Sequence, residues 1–517
     1  MSYKAINNSN NNRRIAKNAV MLYIRMFLAM VVGLYTSRVV LNVLGVEDYG
    51  IYGVVGGVIA MLGFLNASMS GATSRFLTYE LGKGDKKRLA ETFSSALIVH
   101  MGIALIVLLF AETVGLWFVM HKLVIPAERM GAAHWVYQLS ILSSMLAITQ
   151  VPYNALIIAH EEMDIYAWVE ILHVVLKLLI VYVLVIGHMD KLKLYAVLVL
   201  AVGAFIMMVY RLYCLRHFKE SRFHWIWDKS ILKPMLNFSW QTIIAHMSFS
   251  FRQQGTNFAL NMVFGVIVNA ASGIASTVNG IISQFSANII AAFNPQIIKQ
   301  YAQGDFKSSC RLIISASKYS TLLILLIIIP FEFEAEQILR LWLGQVPQYA
   351  VHFNRLMMLS LLTCVTNPVY IGLTANGNIK SYSLLQASLY VVCPFIIYLL
   401  CYAYRMPELA YVVIIAVQFI AGILVVIIFK YRVPEFSVTR YLRMVLFAVA
   451  LPSCVSVAAC FAVYRAMSPD WMRLLSLVLI NAVILCGLTF AGLTRVERTR
   501  LKSLIMSKLS LRGHESN

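Results

Sequence analysis

Charge is what this chain has least of. Charged residues make up 13% of its 517 positions, about half the share of a soluble domain, which excludes an ordinary water-soluble globule. Cysteine is sparse as well. The eight Cys are scattered without a C-x-x-C pair, so no disulfide framework or zinc cluster organises the fold, and they read as small buried hydrophobes. There is no G-x-x-x-x-G-K-[ST] phosphate loop, no Asp-x-Asp pair to hold a metal-bound nucleotide sugar and no H-E-x-x-H zinc site. ATP-driven transport, sugar transfer and zinc hydrolysis therefore lack their residues; no cofactor or metal is expected. Met1 to Lys17 is polar and Asn-rich, without the apolar run or small-residue cleavage site of a signal peptide.

What the chain has is apolar length. Hydrophobic residues fill 60% of it, and segments of about 20 apolar residues, long enough to cross a bilayer, recur throughout. About fourteen transmembrane helices are expected, in an all-α polytopic membrane protein. No connection between them is long enough to hold a soluble domain. The longest, about Glu332 to Tyr349, carries Glu332, Glu334 and Glu336 and reads as a solvated outer loop.

The formal charge of +20 collects on alternate connections. Lys and Arg concentrate at Arg13, Arg14 and Lys17, in residues 75–88, 211–233 and 299–311, at Lys380, in 430–443, and from Arg495 to Arg512. The positive-inside rule places these segments and both termini in the cytoplasm. The basic balance then reflects topology and contact with anionic membrane lipids; nucleic acid is not an expected partner.

The two halves repeat. Val43-Leu44-Gly45-Val46 recurs as Val263-Phe264-Gly265-Val266, Gly53 as Gly273, and Gly84-Asp85 as Gly304-Asp305. At a slightly shorter offset Pro152 falls on Pro368, Ala159 on Ala375 and Tyr166 on Tyr382. The unit is six spans, an even number, so both copies run the same way. Such a repeat in an apolar chain marks a two-lobed transporter with its site between the lobes. The expected organisation is an N-lobe (1–215), a basic cytoplasmic linker (216–234) with Phe223, Trp225 and Trp227 at the interface, and a C-lobe (235–430). Two appended spans (431–493) and a basic tail (494–517) complete it.

Span 2 carries small residues at Gly53, Gly56, Ala60, Gly63, Ala67 and Ser70, and span 8 matches it with Gly273, Ser276, Gly280, Ser283 and Ala287. Such faces let helix backbones approach closely. They serve either as fixed packing or as surfaces that slide between conformations. Span 7 is the most polar. Gln241, Ser248, Arg252 and Thr256 form one stripe; Thr242, His246, Ser250, Gln253, Asn257 and Asn261 form another. A helix this polar faces protein or water, and with Asn269, Ser272, Ser276, Asn279 and Ser283 of span 8 it lines one wall of a wet cleft.

Ionisable groups inside spans are costly, about 2.5–3.5 kcal/mol at the bilayer centre on insertion scales. Arg252, near the middle of span 7, is read as functional. Arg25 and Arg38 in span 1 lie on different helix faces. Arg25 is either a second functional cation or structural, and Arg38 is either a secondary site residue or an end-of-helix snorkel. Arg suits an anionic phosphate because its planar fork keeps its charge and donates in pairs. Glu170, His173 and Lys177 share one face of span 5. They form either a proton- or cation-coupling site or a structural ion-pair network, with Gln386 at the matching place in the second half. His100 and Glu112 are lesser candidates of the same type.

Ser37-Arg38, then Leu44-Gly45-Val46-Glu47-Asp48-Tyr49-Gly50-Ile51-Tyr52, a glycine-rich span 2, Ser74-Arg75-Phe76 and Glu80-Leu81-Gly82-Lys83-Gly84-Asp85 together resemble the bacterial polysaccharide-biosynthesis (Wzx-like, O-antigen) flippases. These belong to the multidrug/oligosaccharidyl-lipid/polysaccharide (MOP) exporter superfamily. The resemblance is most specific over residues 15–90 and extends to the whole chain in topology. It implies two six-helix lobes forming a V, two extra C-terminal helices, and alternating-access transfer of an undecaprenyl-diphosphate-linked oligosaccharide across the inner membrane for surface polysaccharide or capsule. It implies as partners the lipid-linked oligosaccharide, membrane lipids, H⁺ or Na⁺ as a coupling ion, and the polysaccharide polymerase machinery. Arg25, Arg252, His246, Gln253, Asn257 and Asn279 would bind substrate. Span 1 has neither the acidic residue frequent in drug exporters nor the Arg-Asp pair typical of lipid II flippases, since Met26 follows Arg25. A cation-coupled drug antiporter of the same superfamily and, further off, a membrane enzyme acting on the glycolipid are the rival readings.

Overall fold

The computed structural model describes the backbone of residues 2–160, 162–186, 189–226, 228–375 and 380–491; described side chains begin at Met30. Every regular element among the described residues is helical. Among the described residues, twelve helical stretches are long and apolar enough to cross a membrane, so the chain is a multi-pass membrane protein. Of the fourteen expected spans, two contain helices that fall short of that apolarity. These are α2 (Gly63–Lys83) and α8 (Lys229–Phe264), the polar and glycine-rich segments singled out above.

The first helix, α1 (Ser2–Met61), is helical on both sides of Gly45, whose φ of 79° and ψ of 169° break it into two. Span 1 ends there and span 2 begins. The repeat partner Gly265 has φ 80° and separates α8 from α9 (Val266–Ala302). The second glycine pair behaves alike: Gly84 and Gly304 both have φ 77°. Only glycine takes such angles without steric cost, so the sequence repeat is also a repeat of backbone turns. Each turn then restarts a helix in the same way. Asp85 accepts from the Arg88 N–H to cap α3 (Lys86–Phe110), and Asp305 accepts from the Ser308 N–H at α10 (Phe306–Leu343), each satisfying a first-turn donor.

The chain divides into two compact units. The first comprises the residues up to Thr277, Leu339–Phe353 and Ser383–Val417; the second comprises Val278–Ile338, Asn354–Tyr382 and the described residues from Gln418 onward. In the first, α3 continues through a π-helical turn at Ala111–Gly115 into α4 (Leu116–His121). The turn is fixed by the Tyr137 hydroxyl, which donates to the Ala111 carbonyl at 2.6 Å. A side chain at Gly115 would sit 2.3 Å from that hydroxyl. The helices α5 (Met130–Ala159), α6 (Met163–Ile186) and α7 (Lys191–His217) close around α1 on a core that includes Ile51, Val54, Val136, Ile141 and Leu184. A second core, around Leu77, Phe93, Leu156 and Tyr210, binds α2, α3, α5 and α7.

Most of the expected outer loop is instead the end of α10. That helix runs on to Leu343 with a single non-helical residue, Glu334 (φ −112°, ψ 21°). Glu334 is 2% exposed and paired with Arg473, whose Nη2 donates to Oε2 at 2.9 Å. Its partner lies 139 residues away, so one carboxylate of a run that looks solvated in sequence sits in a buried ion pair, while Glu332 is half-buried and Glu336 is exposed. The pair ties α17 (Trp471–Ala491) to α10. Asn481 adds to it, accepting from Ser456 of α16 (Ala448–Ala466) and donating to the Leu326 carbonyl at 2.9 Å.

Candidate functional site

The first unit contains a cavity of about 510 Å³, the size range of small-ligand sites. Its walls come from six helices: the glycine stripe of α1 and α2, the serines of α5, Ala196 and Val199 of α7, the amides of α8, and Asn269, Gly273 and Ser276 of α9. Among the described residues, no carboxylate, ammonium, guanidinium or imidazole lines it. The cavity offers hydroxyls, amides and bare backbone.

The backbone is bare for a local reason. Between α1 and α2 the chain breaks at Leu62, beside the lining residues Ala60 and Gly63. The break frees main-chain groups in a membrane span, which is tolerated only where protein or water satisfies them. Ser250 of α8 does so, donating to the Met61 carbonyl at 2.9 Å. Discontinuous helices of this kind build transporter binding sites.

The glycines of span 2 divide into two groups. A methyl at Gly50 would lie 2.0 Å from the Val266 carbonyl oxygen, and one at Gly57 would lie 2.8 Å from Gln254 Oε1. These two permit close approach of α1 to α9 and α8. Gly53, Gly56 and Gly63 have nothing within 4 Å and border the cavity. The stripe read from sequence as a packing face is thus largely a cavity wall, and the closest packing falls on Gly50 and Gly57.

The amides of α8 and α9 form one network. Asn261, fully buried, accepts from the Val124 N–H at 2.8 Å and donates to Asn269 at 2.9 Å. Asn269 donates to the Asn257 carbonyl at 2.8 Å, and Ser272 donates to the Asn257 side chain at 3.0 Å. Asn257 in turn donates to Gln254 at 3.2 Å. The network fixes the wall and its polar direction. Gln253 lines the cavity, is exposed and has no protein partner among the described residues, so its amide is free for a ligand.

Of the residues expected to bind substrate, the structure brings Gln253 and Asn257 to this cavity. Arg252 is half-buried just outside the lining, its guanidinium 4.8 Å from the ring centre of Tyr390 and 5.4 Å from that of Phe249. Its Nε is buried without a hydrogen-bond partner among the described residues. Tyr390 accepts from Gln386 at 3.3 Å, so the matching polar position of the second half lies next to this cation. His246 is exposed and absent from the lining. Arg38 is exposed and donates to the Leu341 carbonyl at 3.2 Å. Asn279 belongs to the second unit, where it donates to the Met357 carbonyl at 3.2 Å. The side chain of Arg25 lies outside the described residues, as does Trp227.

Glu170 and His173 are half-buried on α6 and Lys177 is exposed, with no hydrogen bond or ion pair to any of the three among the described residues. His100 is fully buried, its Nδ1 2.8 Å from the Ala96 carbonyl, and Glu112 accepts from Gln138 at 3.3 Å. No group of three His, Cys, Asp or Glu side chains converges as a metal site among the described residues.

Sequence reasoning missed Ser140, Ser143 and Ser144 of α5, which line the cavity; their three- and four-residue spacing was the available signal. It also left the acidic motif without a structural role. Asp48 of that motif is held by Arg129, whose Nε donates to it at 2.8 Å, while Arg129 Nη1 donates to Asp190 at 2.9 Å. One guanidinium therefore ties the start of span 2 to the start of α5 and the cap of α7.

A family described as polysaccharide biosynthesis protein matches residues 15–292. No curated protein matches the chain. Among solved structures it is similar to the inward-facing conformation of a multidrug resistance MATE family transporter of the MOP superfamily, at TM-score 0.62 and 14% identity, covering 81% of this chain and 98% of that one. It is similar to the lipid II flippase MurJ in an inward closed conformation, at TM-score 0.60 and 12% identity, covering 92% and 98%. It is also similar to a MOP superfamily transporter from Pyrococcus furiosus with reverse polarity of its binding pocket, at TM-score 0.55 and 16% identity, covering 81% and 96%. At these identities the shared property is the fold.

Proposed function

The chain belongs to the polysaccharide biosynthesis protein family and has the fold of MOP transporters, and on that premise we propose that it is a flippase for a lipid-linked oligosaccharide. Its substrate would be an undecaprenyl-diphosphate-linked repeat unit, moved across the bacterial inner membrane by alternating access of lobes 1–215 and 235–430, with both termini cytoplasmic. The observation that carries this reading is the 510 Å³ cavity walled by serine hydroxyls, amides and bare glycine backbone, with no charged group among its described lining residues. Sugars present dense hydroxyls, and such a wall exchanges hydrogen bonds with them without the desolvation cost of a buried charge.

Arg252, with its unpartnered buried Nε, and Arg25 are the cations assigned to the diphosphate. Glu170, His173 and Lys177 are assigned to coupling by H⁺ or Na⁺, and delivery to the polymerase machinery would follow. The solved structures that share this fold are transporters, which supports transport over catalysis, and no catalytic residue is assigned. A drug antiporter shares the fold, but a cationic drug would enter this cavity without a carboxylate to meet it.

The test is the leaflet location of the undecaprenyl-diphosphate oligosaccharide in cells lacking the gene. Repeat units trapped on the cytoplasmic side and released by the wild-type gene, but not by Gly53→Leu, are the expected result. Normal delivery to the outer leaflet without another flippase would refute the assignment.

A further inference from the structure

A second cavity, of about 410 Å³, lies in the second unit between the first turns of α10 and the connection from α14 (Leu409–Arg432) to α15 (Val438–Tyr441). Lys307 and Arg311 enter it from α10, Arg440 from α15, with Cys310 and Ile314 beneath. Three cations thus meet from two segments remote in sequence. Glu435 is the one carboxylate of the lining, and Asp305, on the adjoining cap, lies within the field of Arg311 and Lys307. Among the described residues none of the three cations has a carboxylate within ion-pair distance. Arg311 donates to the Ser308 hydroxyl, at 2.9 Å.

The repeat gives an internal comparison. Lys87 and Glu91 occupy in the first half the places of Lys307 and Arg311 in the second. There the neighbouring Arg88 is neutralised from within, 3.0 Å from Asp228 and 3.7 Å from Glu91, and donates to Ser230 at 2.7 Å. Where one copy has Glu91 the other has Arg311. One copy therefore consumes its cation with its own carboxylates, and the other leaves three open around a crevice.

The crevice lies where membrane spans begin and end: spans start at Phe306 and Val438, and another ends at Arg432. Tyr431 and Leu442 are exposed apolar or amphipathic side chains flanking the connection, as suits headgroup depth. Forked guanidiniums that keep their charge match phosphate oxygens in pairs, and basic pockets between spans retain anionic headgroups.

We propose that this crevice binds a phosphate-bearing anion at the membrane surface, either the headgroup of an anionic phospholipid or free phosphate. The proposal depends on the membrane-spanning fold and not on the flippase reading, and its test does not involve transport.

The full-length protein, purified in a neutral detergent, is titrated with phosphatidylglycerol or phosphatidylcholine, and bound lipid is counted by native mass spectrometry. Wild type is expected to retain phosphatidylglycerol in preference to phosphatidylcholine. Arg311→Gln and Arg440→Gln should each weaken that retention roughly fivefold, the effect of about one surface charge, with unchanged thermal stability. Lys87→Gln, at the matching place in the first half, should leave it unaltered. Displacement of the lipid by inorganic phosphate would show that the phosphate group suffices; resistance to it would identify the intact lipid as the ligand. Equal retention of the two lipids together with no phosphate binding would overturn the proposal. So would a Lys87→Gln effect as large as that of Arg311→Gln, which would mean diffuse surface charge and no site.

Discussion

Adding one methyl group at three neighbouring glycines should give three different results. At Gly50 the new carbon would lie 2.0 Å from the Val266 carbonyl oxygen and 2.9 Å from its carbon. The obstacle is backbone, so α1 and α9 must separate by more than 1 Å to restore ordinary contact. Overpacking of this kind costs about 1–3 kcal/mol, and more where the neighbour is rigid. At Gly57 the obstacle is Gln254 Oε1 at 2.8 Å, the tip of a flexible side chain that can swing aside. The cost there is smaller, mainly the loss of the 3.2 Å bond from Asn257, about 1 kcal/mol. At Gly53 nothing lies within 4 Å, and Ala in a helix is favoured over Gly by about 0.5–1 kcal/mol. Thermal unfolding of the purified protein in one detergent would rank the variants. Gly53→Ala should unfold at or slightly above wild type, Gly57→Ala slightly below, and Gly50→Ala several degrees below, given shifts of roughly 2–4 °C per kcal/mol for units of 150–250 residues and less for larger ones. If Gly50→Ala matches wild type, or Gly53→Ala falls as far as Gly50→Ala, the division of the stripe into contact and cavity wall is wrong.

Two further predictions concern charges outside the cavity. Arg473→Met should destabilise the protein by about 3–5 kcal/mol, because it leaves Glu334, 2% exposed, as an unpaired buried carboxylate. Adding Glu334→Gln should recover most of that loss in the same thermal assay, whereas additive losses would exclude a coupled pair. Asp190 supplies a pH dependence. Burial pushes its carboxyl up, but the Arg129 guanidinium and the backbone N–H groups of Lys193 and Leu192 outweigh burial and hold it below the usual carboxylate range. With its folded pKa depressed, its contribution is complete above the unfolded value of about 3.9 and disappears as pH falls through the folded one. Asp190→Asn should therefore be less stable than wild type at neutral pH, with the gap closing below about pH 4. A gap that is constant with pH would contradict the assignment.

Much of this architecture is written locally and is legible in sequence. Apolar length counts spans without any tertiary information, because a bilayer sets the required length. The small-residue face of α2 and the polar faces of α8 mark the same two segments that fall short of span-like apolarity in the structure. Gly45, Gly84, Gly265 and Gly304 are matched in sequence and all take positive φ near 80°, since a backbone that leaves the helix in this way needs glycine. The resemblance of residues 15–90 to polysaccharide-biosynthesis flippases agrees with the family match over 15–292.

What only the tertiary structure decided is which groups meet. Periodicity put Arg252, His246 and Gln253 on one polar helix, but only Gln253 reaches the cavity, while Arg252 turns to Tyr390 and His246 to the surface. Helical spacing fixes a residue's angle around its own axis; the neighbouring helices decide what stands opposite that angle. Glu334 looked solvated because its partner, Arg473, is 139 residues away. The glycines of span 2 look alike in sequence, yet one faces the Val266 backbone and another open space. These differences are pairings between segments brought together by long-range packing, and no local pattern of residues encodes them.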